Sequence, residues 1–323
     1  MKYLKELIDD CGNEAVKGMA CHPLARSGKK RVNLLAIGDV GGTLLTGLKL
    51  MGGDVIDTIG ISDVNEQVTE RYEAEMNQLA YPFDYGALPE VKITAADDLF
   101  DCDVFVFCAS KAVPAVGEDA RDVRMVQFSS NRPIVEHYAA EAVKKRFEGL
   151  FAVVSDPVDP LCKAALLQGL RPGQIQGYGL GVMNSRAAYF AKRDSRFVSF
   201  LTEGRAFGPH GADLVVANSI EQYDDVLSKE LTKLTVEANL KMRELGFKPY
   251  IAPALSSGAI SILLTIRGEW HYSSTYFGTA KVGAFLGAKN RMKCAEIEVE
   301  NLLLPDDLYM RIEKAYINLL DII

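Results

Sequence analysis

The sequence predicts an α/β fold, with a doubly wound parallel sheet in the first half of the chain and an α+β unit in the second. Apolar runs of strand length alternate with helical patterns up to about residue 176, as in a parallel sheet covered by helices. A glycine-rich turn joins the first of these runs to the helix after it. The 323 residues are enough for two cores. We therefore expect an N-terminal arm at 1–30, a first domain at 31–176 and a second domain at 177–323.

The first unit of the sheet lies between residues 32 and 62. Residues 32–37 are a nearly continuous apolar run, as expected for a parallel strand that is buried on both faces. Residues 43–51 carry apolar side chains at helical spacing, and Gly52 and Gly53 follow as a stop. Residues 55–62 form a second apolar run. The pattern predicts a strand, a turn, a helix and a second strand.

The turn of this unit follows the pattern G-x-G-x-x-G, with Ala36 in place of the first glycine. A turn of this kind lets the N-terminus of the helix meet a diphosphate, because bare backbone N–H groups and the positive end of the helix dipole face the anion. The residues expected to bind it are Gly38, Asp39, Val40 and Gly41. The carboxylate of Asp39 would lie close to the phosphates. The alternative is an ordinary strand–helix–strand unit with a tight turn.

An acidic residue follows the second strand at the position that favours NAD. Asp63 comes 25 residues after Gly38, and its carboxylate can accept hydrogen bonds from both ribose hydroxyls. A 2′-phosphate at the same place would be repelled, which disfavours NADP. The sequence therefore predicts a Rossmann-type NAD-binding domain at 31–176.

The remaining elements follow from the same patterns. In the first half we expect helices at 66–79 and 135–147, strands at 91–94, 104–108 and 150–155, and a helix that begins near Leu161. In the second half we expect antiparallel strands at 196–201 and 213–217 and helices at 223–245 and 256–266. Pro305 and the two acids after it begin a final helix.

Composition excludes several classes of function. A net charge of −7 and a pI near 5.3 argue against a protein that binds nucleic acid or a membrane surface. No run of about 18 apolar residues is present, and the charged N-terminus is unlike a signal peptide. The six cysteines form no C-x-x-C, and the four histidines lie far apart, so we expect no metal site. Reduced thiols fit a cytoplasmic protein.

Four segments carry residues that can do chemistry. Arg121 and Arg124 follow the strand at 104–108, at an edge of the sheet where ligands bind; the alternative is a solvated charged loop. Asp156 follows the next strand, where a capped turn is the alternative. Arg186 comes after a glycine turn at 177–179, and it could equally be a surface arginine. His210, between glycines, is the best candidate for a general base, although a surface histidine is the more common occupant of such a turn.

Together these motifs resemble the L-lactate/malate dehydrogenase family. The resemblance covers about residues 31–290. It rests on AIGDVGGT at 36–43, SDVN at 62–65, the arginines ahead of Asn131, DPVD at 156–159, GYG at 177–179 and GPHG at 208–211, with weaker matches at 252–254 and 285–288. It implies an NAD-dependent oxidoreductase that acts on a small 2-hydroxy or 2-oxo acid and that assembles as a homodimer or homotetramer.

The resemblance also implies roles for three side chains. Arg124 takes the place of the arginine that polarises the substrate carbonyl. Arg186 takes the place of the arginine that holds the substrate carboxylate. His210 takes the place of the histidine that exchanges the proton, while the cofactor exchanges a hydride with the substrate carbon.

Three departures from the family bear on activity. Asp156 stands where the family has asparagine, Pro209 where it has glutamate, and Met183 where it has the aspartate that orients the histidine. A register shifted by one would put Asn184 at that last place and move Arg186 out of its own, and neither register leaves a carboxylate there.

Asp156 could substitute as the partner of His210. Otherwise the chain is a weak or repurposed relative of the family. It would then be a non-catalytic NAD-binding protein, or an enzyme that acts on another carbonyl or imine substrate. The negative charge of Asp156 would suit a cationic group on such a substrate.

Overall fold

A nine-stranded sheet forms the centre of the computed structural model, which describes residues 1–7, 24, 27–111, 120–279, 282–293 and 296–322. Six of its strands are parallel, in the order β7-β6-β5-β2-β3-β4. Their bounds are β2 Lys30–Leu35, β3 Ile56–Ser62, β4 Glu90–Ile93, β5 Val104–Phe107, β6 Leu150–Val153 and β7 Ile175–Gly177. This is the strand order of a Rossmann-type dinucleotide-binding sheet, so the predicted fold class is confirmed.

Helices cover both faces of the parallel strands. They are α1 Asp39–Met51, α2 Glu66–Asn77, α3 Ala120–Lys144 and α4 Val158–Leu166. Leu34 of β2 packs with Leu44 of α1 on one face, and Phe105 of β5 packs with Ala139 of α3 on the other. Burial on both faces explains why the central strands β2, β5 and β6 read as apolar runs. None of the helices within the described ranges is long and apolar enough to cross a membrane.

The second half of the chain extends the same sheet. Three antiparallel strands follow β7 in the order β10, β11 and β12, and Ser274 of β10 pairs with Gly177 of β7. Their bounds are β10 His271–Gly278, β11 Gly283–Lys293 and β12 Glu296–Val299. The division predicted at 176/177 thus falls inside β7, and the sheet is continuous across it.

The other elements of the second half are helices and two small antiparallel sheets. The helices are α5 Leu180–Ala191, α6 Phe200–Glu203, α7 Asp225–Glu244, a π-helical segment Pro253–Ile260, α8 Ser261–Arg267 and α9 Asp306–Leu320. One small sheet pairs β8 Arg205–Phe207 with β9 Val215–Ala217. The strand expected at 213–217 and the final helix opened by Pro305 are therefore present.

The strand expected at 196–201 was wrong. A 3-10 turn at Ser195–Phe197 and helix α6 occupy this segment. The Asp194 side chain accepts a hydrogen bond from the backbone N–H of Arg196 and caps the turn. Phe197 and Phe200 are both buried. Their spacing of three puts them on one face of a helical turn, whereas a strand would place them on opposite faces.

The N-terminal residues pack on the second half of the protein. β1 (Lys2–Tyr3) pairs with β13 (Leu303–Leu304), and Leu4 and Leu7 are fully buried beside helix α9. Residues 8–23, which complete most of the expected arm, lie outside the described residues. The first residues of the expected arm are thus part of the C-terminal core. Its last residue, Lys30, already belongs to β2.

Candidate functional site

The glycine-rich turn leaves the carboxyl end of β2 and enters helix α1 at Gly38, its N-cap. Ala36 adopts a left-handed φ of 72°, the conformation that the first glycine of the pattern usually supplies. A Cβ on Gly41 would lie 2.0 Å from the carbonyl oxygen of Ala36, so only glycine lets the helix approach the turn this closely. A Cβ on Gly38 would meet no heavy atom within 4 Å. The helix therefore packs tightly against the turn at Gly41, whereas space for a ligand remains at Gly38.

Asp63 holds this turn from the end of β3. One carboxylate oxygen accepts the backbone N–H of Ile37 at 2.7 Å, and the other accepts that of Asn65 at 2.9 Å. The carboxylate is half-buried and lies beside the turn. The structure thus brings the five predicted cofactor-binding residues around one loop.

A cavity of about 250 Å³ opens at the turn. Its walls come from the turn and α1, from α2 and from the segment after α7: Ile37, Gly38, Asp39, Thr43, Val68, Arg71, Tyr72 and Tyr250. Asp39, which the sequence placed near the phosphates, forms an ion pair with Lys248 (Nζ to Oδ2, 3.1 Å).

A histidine–aspartate pair lies at the same carboxyl edge of the sheet. His210 is carried by the connection between β8 and β9, where Gly208 has a φ of 89°. Its Nδ1 is 2.9 Å from Oδ1 of Asp156, which follows β6. The side chain of His210 is 11% exposed and that of Asp156 is 44% exposed, so the carboxylate faces the open side of the pair. A carboxylate on Nδ1 favours the tautomer that leaves Nε2 to exchange protons.

Hydrogen bonds fix the backbone around Asp156. The buried Asn131 of α3 donates from Nδ2 to the carbonyl oxygen of Asp156 at 2.8 Å. Ser155 donates from Oγ to the carbonyl oxygen of Ala109 at 2.8 Å. The peptide bond between Asp156 and Pro157 is cis. The hydrogen bonds of Asn131 and Ser155 hold the chain segments after β5 and β6 and set the position of the Asp156 carboxylate.

Arg186 of α5 is buried, and its hydrogen-bond partners among the described residues are neutral. Its guanidinium donates to Oδ1 of Asn239 on α7 and contacts Sδ of Met183 at 3.6 Å. Desolvation by burial lowers the pKa of Arg186, and the negative charge of Asp156 opposes that shift. Arg186 and Asp156 are thus electrostatic neighbours. A buried guanidinium held by neutral groups is poised to bind an anion.

Arg121 and Arg124 lie in the first turns of helix α3 rather than in a loop, because the helix begins at Ala120. The charged residues around them occur both in helices and in solvated loops, so the local sequence alone did not distinguish the two. The side chains of residues 120–124 and all of residues 112–119 lie outside the described residues. The expected role of Arg124 stays a prediction.

Sequence reasoning missed Asn239 and Lys248. Asn239 lies on the amphipathic helix α7, where a polar residue is the ordinary occupant of a solvated face. Lys248 follows that helix in a segment without a motif. Nothing local distinguishes either residue, and both become visible only when the chain is folded.

Proteins of similar sequence are lactate and malate dehydrogenases. An L-lactate dehydrogenase from Treponema denticola is 28% identical over 186 residues, which are 57% of this chain and 55% of that protein. A malate dehydrogenase from Sulfurimonas denitrificans is 26% identical over 300 residues, which are 84% of this chain and 89% of that protein. The chain thus matches about half the length of the first relative and most of the second. No protein-family model matches the chain.

Solved structures of the same enzymes share the fold. The malate dehydrogenase from Archaeoglobus fulgidus in complex with NADH superposes with a TM-score of 0.72 at 16% identity, over 90% of this chain and 97% of that one. A lactate dehydrogenase from a deep-sea metagenome library gives a TM-score of 0.71 at 16% identity, over 91% of this chain and 97% of that one. At such identities the likeness shows the fold alone, a Rossmann-type domain followed by an α+β domain.

Proposed function

We propose that this chain, a divergent member of the L-lactate/malate dehydrogenase family, is an NAD-dependent oxidoreductase that transfers a hydride between nicotinamide and a small 2-hydroxy or 2-oxo acid. The observation that carries the proposal is the pair of His210 and Asp156, whose Nδ1 and Oδ1 lie 2.9 Å apart, together with the buried Arg186, whose pKa the charge of Asp156 raises against the effect of burial. An acid–base group beside an anion-binding group is what reduction of a 2-oxo acid requires. A protein that only bound NAD would need neither.

The glycine-rich turn fits NAD. The open space at Gly38 allows a diphosphate to approach the backbone N–H groups of the turn and the N-terminus of α1. The ribose hydroxyls would meet Asp63, whose carboxylate already accepts backbone N–H groups of the turn and so has a fixed position. When bound, NAD supplies or accepts the hydride.

Side chains of the protein would transfer the proton and bind the substrate. His210 would give its proton to the substrate oxygen from Nε2, while Asp156 on Nδ1 holds the tautomer and stabilises the imidazolium that forms. Arg186 would bind the substrate carboxylate, and Asn239 would keep its guanidinium in place. Arg124 would polarise the carbonyl, as the family resemblance implies.

The proposed activity is tested with NADH and a panel of 2-oxo acids, read as loss of NADH absorbance. We expect turnover with at least one member, and tighter binding of NADH than of NADPH by calorimetry, because Asp63 repels a 2′-phosphate. Equal or tighter binding of NADPH would overturn the role of Asp63. Binding of NADH without turnover of any 2-oxo acid, with or without an added amine to form imines, would favour the non-catalytic alternative.

Two glycine variants separate the cofactor site from the fold. Gly38→Ala should leave the melting temperature nearly unchanged, because the added methyl group meets no atom within 4 Å. It should weaken NADH binding about tenfold or more, since the methyl group occupies space that the diphosphate needs. Gly41→Ala should instead destabilise the fold by roughly 1–3 kcal/mol, because its methyl group collides with the Ala36 carbonyl. Thermal melts and NADH titrations of both variants measure this, and a Gly38→Ala variant with native affinity would contradict it.

We also propose that the protein is a cytoplasmic homodimer or homotetramer. The oligomer is proposed from the family resemblance, and light scattering on the purified protein tests it. The described cysteines, Cys102, Cys108 and Cys162, are free thiols, as in a reducing compartment.

A further inference from the structure

An ion pair joins the second half of the chain to the glycine-rich turn. Asp39 is the first residue of α1, and Lys248 lies between α7 and the π-helical segment. Nζ of Lys248 is 3.1 Å from Oδ2 of Asp39, and the two side chains are 75% and 52% exposed. Two residues after Lys248, Tyr250 forms part of the wall of the cavity at the turn.

Asp39 is an obstacle to the proposed cofactor. Asp39 directly follows Gly38, where the turn is open, and it is one of the residues that line the cavity. A carboxylate at the first position of a helix is favoured by the helix dipole, and a diphosphate would seek the same positive end. Two anions at one helix terminus repel each other, so the site needs a cation that offsets Asp39.

Lys248 fits this requirement better than Arg71, the cation that lines the cavity. Nε of Arg71 donates to Oε2 of Glu75, so its charge offsets a carboxylate of its own helix and not that of Asp39. Lys248 instead pairs with the carboxylate that obstructs the site. An exposed ion pair is weak, and the lysine stem is flexible, so the ammonium can turn toward a second anion at little cost.

We propose that Lys248 is a cofactor-binding residue whose ammonium neutralises Asp39 and also contacts the diphosphate of NAD. This inference rests on the proposed function. The segment after α7 would then contribute to the affinity for NAD. The ion pair with Lys248 would explain how the chain tolerates Asp39 inside its glycine-rich turn.

The test is a double-mutant cycle read as the Kd of NADH, by fluorescence titration of the full-length protein. Lys248→Gln should raise Kd about fivefold to tenfold, because Asp39 is then uncompensated. Asp39→Asn should lower Kd, and the double variant should fall between the two single variants. ADP-ribose, which keeps the diphosphate and lacks nicotinamide, should show the same order. The differences should shrink as NaCl is raised, because the groups are exposed.

Lys229→Gln is the matched control, since Lys229 is an exposed lysine that forms an ion pair with Asp225 on its own helix, and neither residue lines the cavity. Equal Kd values for Lys248→Gln and Lys229→Gln would overturn the proposal. Equal Kd values for the double variant and Asp39→Asn would overturn the direct contact with the diphosphate. Failure of the unaltered protein to bind NADH would overturn the proposed function itself, which is a different result.

Discussion

Replacing Asp156 with asparagine is expected to lower kcat by roughly 10²- to 10⁴-fold, the upper end being the loss in a serine protease triad whose aspartate becomes asparagine. The carboxylate on Nδ1 of His210 would be replaced by a neutral amide, which neither stabilises the imidazolium nor selects the productive tautomer. The turn should survive, because Asn131 bonds the backbone carbonyl of residue 156 and not its side chain. Steady-state kinetics and an NADH titration measure this, and the Kd of NADH should stay unchanged.

A second substitution tests whether a carboxylate at position 183 can take over the role of Asp156. Met183 stands where the resemblance puts the family's aspartate, the residue that orients the histidine. Met183→Asp in the Asp156→Asn background should therefore restore part of kcat, and the two changes should be non-additive because they serve one imidazole. Met183→Asn is the control of similar size without charge, and it should restore nothing. Unchanged or higher activity of Asp156→Asn alone would show that Asp156 selects the substrate instead.

The parallel half of the fold is predictable because strands buried on both faces leave a local signal. Four of its six strands, β2, β3, β5 and β6, coincide with apolar runs in the sequence, and the glycine turn marks where the first of them ends. Strand β7 has only three residues, too few for any pattern. Its place became visible only through the pairing of Gly177 with Ser274 of β10.

The hairpin of β10 and β11 left no such signal. Its first strand buries polar side chains next to one another, among them Ser273 and Ser274. Tertiary hydrogen bonds satisfy these two serines, from Ser273 to Asn290 and from Ser274 to Asp159. Buried strands with satisfied polar groups do not alternate between apolar and polar residues, so the pattern that reveals a half-exposed strand is missing.

The candidate site was predictable in its parts, whereas of its assembly only the contact of Asp156 with His210 was expected, as one of two explanations for the departures from the family. Motifs drew attention to each of these two residues, which stand 54 positions apart in the chain. The contact between the Asp156 carboxylate and the His210 imidazole depends on the positions of the chain segments that follow β5 and β6. The side chain of Asn131 forms hydrogen bonds with the backbone of both segments. Asn239 and Lys248 carry no motif, because an amide or a lysine on a polar surface is ordinary in any sequence.

Replacing Arg186 with alanine is expected to reduce kcat/KM for a 2-oxo acid by about 10²- to 10³-fold, in the range for removing one member of a buried, hydrogen-bonded charge pair. The reason is the state of the guanidinium before substrate arrives. It is buried, its described hydrogen-bond partner Asn239 is neutral, and burial lowers its pKa, so it gains most when a carboxylate binds. The KM should therefore rise, and the Kd of NADH should barely change.

The control for this experiment is Arg193→Ala, since Arg193 follows the same helix α5 and is exposed, with its guanidinium over the ring of Tyr189. Its kinetics should match those of the unaltered protein. Asn239→Ala should reproduce a smaller part of the Arg186→Ala effect, chiefly in KM, because it frees the guanidinium without removing the charge. If Arg186→Ala and Arg193→Ala gave the same kcat/KM, Arg186 would lie outside the substrate site. The anion-binding group of the proposed reaction would then have to come from another part of the chain.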